Sequence, residues 1–320
     1  MRRILWLLGL LVPMSAAYAQ DWPAHPVRVI VNVAAGGVSD VAARLIGSVL
    51  AEALKQPFVI DNRAGGEGYI GFEAAARAEP DGYTLLFSPG SSMMITPHLV
   101  KRKDFDPVEM FTPIAPGVRT TLYLVVPPAH PAKTLAEFIA YAKANPGKMN
   151  FGSAGTGSGL HLAAELFKRE AGIQAVHVPY KGAGPALKDL LGGVFEFMFD
   201  PGIGLGQIKA GKLRLLGVVG SRRHPGYPDV PTFEEAGYKE VISGPYHSLY
   251  APKGIPPAIV HRLNAEVGKA IFMPEIRRKL EAIGLEPGRM PPDQFAAYVR
   301  VENQRFAKLL REFGITKDYR

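Results

Sequence analysis

The chain has 320 residues, 47% hydrophobic and 21% charged, the balance of a soluble globular protein with length for one or two domains. It contains no cysteine, which excludes disulfides, thiol nucleophiles, thiolate-ligated metal sites and an acylated lipoprotein anchor. The formal net charge is +8, but the basic residues are scattered and lack interleaved aromatics. Nucleic acid is therefore not an expected partner, whereas the bias suits the steering of anionic small molecules.

Arg2 and Arg3 precede an apolar run from Ile4 to Val12, and Ala17-Tyr18-Ala19 follows as a small-x-small cleavage pattern. This predicts a signal peptide over residues 1–19 and a mature chain exported to the periplasm. The run is too short to span a bilayer. From Val27 the pattern alternates between strand and helix. Val27–Val33 reads as a buried strand, Ala34–Asp40 as a turn and Val41–Leu54 as a helix ended by Gln56-Pro57. Phe58–Asp61 is the next strand, Asn62–Gly68 a Gly-rich turn, Tyr69–Ala78 a helix and Tyr83–Phe87 a third strand. This spacing predicts a doubly wound α/β sheet.

The middle repeats the arrangement. Leu122–Val126 reads as a strand, and Thr134 caps a helix running through Lys143. The stretch Met149-Asn150-Phe151-Gly152-Ser153-Ala154-Gly155-Thr156-Gly157-Ser158-Gly159-Leu160-His161 passes from strand through a Gly/Ser/Thr turn into a helix. Glycines allow close backbone approach, and the helix start offers free N–H groups and a positive dipole end. Two readings stay open: an anion site for a carboxylate or phosphate, or a plain strand-to-helix loop with Ser158 as N-cap. Strands Ala175–Val178, Val194–Phe199 and Leu213–Val219 and a helix from Ala183 to Leu191 complete a second unit. A strand-like Tyr246–Tyr250 follows, and beyond it the sequence reads as entirely helical: Pro257–Ile271, Pro274–Ile283 and Pro292–Phe313. Ligands of open sheets sit beyond the carboxyl ends of strands, here the turns after Val33, Phe87, Phe151, Val178 and Phe199.

Enzymatic patterns are weak. Gly66-Glu67-Gly68-Tyr69-Ile70-Gly71 matches G-x-G-x-x-G, but no acidic residue follows the next strand, so no dinucleotide is expected. No Walker lysine, nucleophile elbow or His-Glu-x-x-His is present, and the histidines lack ligand spacing, so neither metal nor cofactor is expected. His161 is a candidate base or ligand contact beside the Gly turn, or a structural hydrogen-bonding residue. Asp40 and Asp200 each follow a strand; Asp40 suits a helix cap, and Asp200 a position facing a cleft.

The ordered segments resemble one family, the Bug-type periplasmic solute-binding receptors of tripartite tricarboxylate transporters. The resemblance runs through Pro26–Val31, Ala35-Gly36-Gly37 with Asp40 and Arg44, Asp61–Gly66, Pro80–Leu86, Gly152–Gly155 with Gly157-Ser158 and His161, His177–Gly182, Gly211–Arg214 and Pro228–Thr232. It implies an α/β, two-lobed type II periplasmic-binding-protein fold with a ligand cleft between the lobes. Lobe 1 would comprise residues 20–120 and 246–320, and lobe 2 residues 121–245. It implies a monomeric, non-catalytic receptor that delivers a small organic carboxylate to membrane permease subunits. A sensory receptor or a secreted hydrolase or isomerase on a similar fold are the alternatives. The turn Ala35-Gly36-Gly37, oriented by Asp40, and the turn Ser153, Gly155, Thr156, Gly157, Ser158 with His161 would form the ligand site that holds the carboxylate. Ser88, Ser91, Asp200 and Tyr246 would set specificity. The sequence departs from the family pattern where Asn32-Val33-Ala34-Ala35 replace Pro-Phe and a further Pro, where Thr96-Pro97 replaces Asn-Pro, and where Tyr246 replaces Trp.

Overall fold

The computed structural model describes residues 22–100, 105–180, 182–220, 222–242 and 244–315. The leader expected over residues 1–19 lies outside them. Strand β1 (Val27–Val31) leads into helix α1 (Val38–Leu54), then β2 (Phe58–Asn62), α2 (Tyr69–Ala76) and β3 (Thr84–Ser88). Three short helices, α3 (Gly90–Met94), α4 (Thr96–Leu99) and α5 (Pro107–Met110), precede the long strand β4 (Phe111–Thr120). Next come β5 (Leu122–Val126), α6 (Leu135–Ala144), β6 (Met149–Ser153), α7 (Gly159–Ala171) and β7 (Ala175–Pro179). They are followed by α8 (Ala183–Leu191), β8 (Phe197–Asp200), α9 (Leu205–Lys209) and β9 (Arg214–Val219). The chain closes with β10 (His247–Pro252), α10 (Pro257–Phe272), α11 (Pro274–Glu281), β11 (Leu285–Pro287) and α12 (Pro292–Glu312).

The strands form two mixed sheets, ordered β11-β4-β10-β3-β1-β2 and β7-β6-β8-β5-β9. Within the first, β1, β2 and β3 are parallel, and β10 runs antiparallel to both β3 and β4. The chain passes between sheets at Thr121, between β4 and β5, and again between β9 and β10.

Local chemistry explains these elements. Helix α1 turns Ala42, Ala43, Ile46, Leu50 and Leu54 inward at helical spacing, and Lys55 ends it in a left-handed conformation (φ 55°) just before Pro57. Helix α6 is capped by Thr134, whose Oγ1 accepts from the Glu137 amide (3.1 Å), and Glu137 Oε2 reaches back to accept from the Lys133 amide just before the cap (2.7 Å). Helix α7 is capped by Ser158, as the sequence suggests, and closed by Gly172. Strand β4 carries Pro113 and Pro116, which have no N–H to give to a ladder. The ladder with β10 absorbs them through register irregularities. Strand β11 corrects the expectation of a wholly helical C-terminal section; its residues pair with Val118, Arg119 and Thr120.

Each sheet buries its own apolar core against its helices. A further cluster crosses between them, joining Leu162 and Leu166 of α7 to Met94, Ile95 and Leu99. This places the start of α7 against the short helices α3 and α4 that follow β3, and the cleft opens beside that seam.

Candidate functional site

Two strand-to-helix turns face the cleft. After β1, Gly36 takes φ 82° and its amide donates to Asp40 Oδ2 (2.9 Å). Asp40 is buried and held at two points by Arg44, with Nη2 2.9 Å from Oδ1 and Nε 3.1 Å from Oδ2. Burial alone would raise its pKa; the bonds from Arg44 and the Gly36 amide outweigh this and keep it below the usual carboxylate range. Arg44 also donates to Asn62 Oδ1 (3.0 Å), and Asn62 Nδ2 donates to the Val33 carbonyl (3.2 Å).

The turn after β6 is built without that ion pair. Gly157 takes φ 77°, and its amide donates to His161 Nδ1 (3.0 Å). Ser158 Oγ accepts from the His161 amide (3.3 Å). Because Nδ1 of His161 accepts, its proton sits on Nε2, which faces Glu165 Oε1 at 3.6 Å. The His161 ring stacks on His177 with centroids 3.7 Å apart. His177 Nε2 lies 2.7 Å from Ser153 Oγ, which accepts from the Gly155 amide (3.1 Å). Burial, then the neighbouring His161, push the His177 pKa down to about 4.

Between the turns lies a cavity of about 720 Å³. Its walls come from the carboxyl ends of β1, β2, β3, β6 and β7, where open sheets bind ligands. Residues 154–158 form one wall; Asn32, Val33 and Ala34, backed by Gly65 and Gly68, form another; Ser91, Ser92 and Thr96 contribute hydroxyls. Among the described residues lining it, none is charged.

Of the residues expected from sequence, Ser91, Gly155, Thr156, Gly157 and Ser158 line this cavity. Gly155 and Gly157 supply shape rather than amides, because their N–H groups are used within the turn. Ala35, Gly36 and Gly37 of the first turn and Asp40 in the first turn of α1 lie outside the lining, as do Ser153 and His161 behind the second turn. Ser88 is also outside it; it is fully buried, and its Oγ donates to the Pro89 carbonyl (3.2 Å). Asp200 turns away onto its own loop, where Oδ2 accepts from the amides of Gly202 (2.8 Å) and Gly204 (3.0 Å). Burial pushes its pKa up to about 6. Tyr246 packs against Arg119 (5.4 Å to the ring centroid) and Tyr298 rather than the cavity. The sequence reading missed Asn32, Thr96 and Tyr180 as lining residues. The available signal for Asn32 was a single polar residue inside an apolar run.

A model for the tripartite tricarboxylate transporter family receptor matches residues 42–315. BugT of Bordetella pertussis is 36% identical over 321 residues, covering 98% of this chain and 98% of that protein. A solved periplasmic transporter is 38% identical with a TM-score of 0.79, over 93% of this chain and 100% of its own. The R. palustris protein solved with adipate is 34% identical with a TM-score of 0.79, over 92% of this chain and 99% of its own. The α/β, two-lobed architecture with its cleft is that of solved periplasmic binding proteins. The chain belongs to the family of tripartite tricarboxylate transporter receptors.

Proposed function

We propose that this protein is a periplasmic, monomeric receptor that captures a small organic carboxylate between its lobes and hands it unchanged to the permease subunits of the transporter. In this reading lobe 1 comprises residues 20–120 and 246–320, and lobe 2 residues 121–245. The assignment of the two sheets along the chain supports that division.

The carrying observation is the wall formed by residues 154–158 at the start of α7. A helix N-terminus favours an anion, and no charged group among the described lining residues competes for it. Ser158 caps α7 as an acceptor, which leaves its own hydroxyl proton for a ligand oxygen. Thr156 and Ser91 add further donors at the cavity surface. Asp40 and His161 act behind the walls by fixing the two turns. The R. palustris relative was solved with adipate, a small organic carboxylate. Among the described residues, no helix is long and apolar enough to cross a membrane.

Ser153 and His177 have the separation of a nucleophile and its base, yet Ser153 is 0% exposed and does not line the cavity. That geometry favours a binding site over a hydrolase. The test is thermal unfolding of denatured and refolded protein across organic acids, amino acids and sugars, with recovery of each compound. A rise in midpoint confined to carboxylates recovered intact is expected. Absence of any shift with acids overturns the carboxylate reading, and consumption of the compound replaces it with an enzyme.

A further inference from the structure

We infer that Asn32 is a specificity residue: its side-chain amide reads an uncharged group on the ligand, a hydroxyl or carboxamide, that both donates and accepts a hydrogen bond. The inference rests on the carboxylate-receptor reading and deepens it.

Asn32 is 1% exposed, and it lines the cavity. Neither Nδ2 nor Oδ1 has a hydrogen-bond partner among the described residues. By contrast Asn62, a half-buried amide at the end of the adjacent strand, is paired with Arg44 and Val33. The fold also makes room for this side chain. A Cβ at Gly68 would lie 2.7 Å from Asn32 Nδ2, and one at Gly71 would lie 2.5 Å from Asn32 Cβ. The Gly-rich turn that resembles a dinucleotide fingerprint therefore serves as a cradle for an amide at the cavity wall.

The chemistry of the amide selects its partner. Oδ1 only accepts and Nδ2 only donates. A carboxylate satisfies Nδ2 alone. An ammonium satisfies Oδ1 alone and calls for a counter-charge, which the described lining residues do not supply. A hydroxyl or carboxamide can serve both. Asn32 directly follows β1, whereas residues 154–158 follow β6 in the other sheet. The preferred ligand is thus a small carboxylate with a neutral polar group directed away from the anion-binding turn.

The test is calorimetric titration of the refolded chain with ligands matched in length. Succinate is compared with malate and succinamate, and glutarate with 2-hydroxyglutarate and glutaramate. The expected result is that a hydroxyl- or amide-bearing member binds about ten- to a hundredfold more tightly than the plain dicarboxylate. Asn32→Leu is expected to bring the set level, the hydroxyl- and amide-bearing members losing their advantage over the plain dicarboxylate. Asn32→Ala repeats the test with no added bulk should the leucine variant fail to fold. Equal or tighter binding of the plain dicarboxylate by wild type overturns the inference and leaves the receptor reading standing. A preference that survives in the folded variants overturns the assignment to Asn32. Binding of no carboxylate at all removes the receptor reading itself.

Discussion

The turns after β1 and β6 solve one problem with different chemistry. In each, a glycine with positive φ donates its amide to the third residue of the following helix: Gly36 to Asp40, and Gly157 to His161. Asp40 brings a carboxylate, neutralised by Arg44, to the start of α1. His161 brings an imidazole that accepts through Nδ1, stacked on a second imidazole. A fixed carboxylate at a helix start already occupies the favourable field there; an imidazole accepting a hydrogen bond leaves more of that field for a ligand. The cavity follows this asymmetry, for its lining includes residues 154–158 but only Asn32–Ala34 ahead of the first glycine pair.

The two turns differ most at their glycines. At Gly157 an alanine Cβ would collide with Leu99 Cδ1 as well as straining φ, whereas at Gly36 nothing lies within 4 Å. Denaturant unfolding should show Gly157→Ala costing about 3 kcal/mol or more and Gly36→Ala about 1–2 kcal/mol. Equal losses would mean that the first turn is as tightly packed as the second. Next in size, Asp40→Ala strips the acceptor from the Gly36 amide and the partner from Arg44. A loss of about 2 kcal/mol is expected in the same assay, with Asp40→Asn recovering part of it. A neutral result would remove Asp40 as the support of its turn.

Acid separates the turns further. His177, pushed down to about 4, is neutral in the folded chain while its unfolded form protonates near 6.5. Its contribution is therefore complete above about pH 6.5 and is lost as pH falls toward about 4. Asp40, held below the ordinary carboxylate range, keeps its contribution until pH falls below that range. His247, also at about 4, adds to the loss between 6.5 and 4. Asp200, raised to about 6, opposes it, since its folded form takes up the proton first as pH falls. Unfolding measured from pH 7 to 4 should find His177→Gln less acid-sensitive than wild type by on the order of 1–2 kcal/mol. An unchanged slope would show that His177 is not part of the acid response. The smallest effect belongs to the cap: Ser158→Ala should cost about 1 kcal/mol and Ser158→Gly a few tenths. Identical losses for both would argue against capping.

Much of this architecture was legible because apolar runs, capping residues and breakers agreed locally. Leu122–Val126 and Ala183–Leu191 form the elements expected of them, and the strand-end rule indicated most of the cavity's walls. Strand β4 escaped because Pro113, Pro116 and Gly117 each argue against a ladder locally. Its length is fixed by pairing with β10 and β11, which are distant in sequence. Chain order likewise cannot reveal which way a side chain turns at a strand end. Asp200 ends β8 and Asn32 directly follows β1, yet Asp200 bonds to its own loop and Asn32 lines the cavity.

The seam that joins Leu162 and Leu166 to Ile95 and Leu99 gives the cleft a thermal character. Any opening that parts it must wet apolar surface, which raises the heat capacity of the open form. Closure over a ligand then carries a negative heat-capacity change, and its enthalpy grows more favourable with each degree of warming.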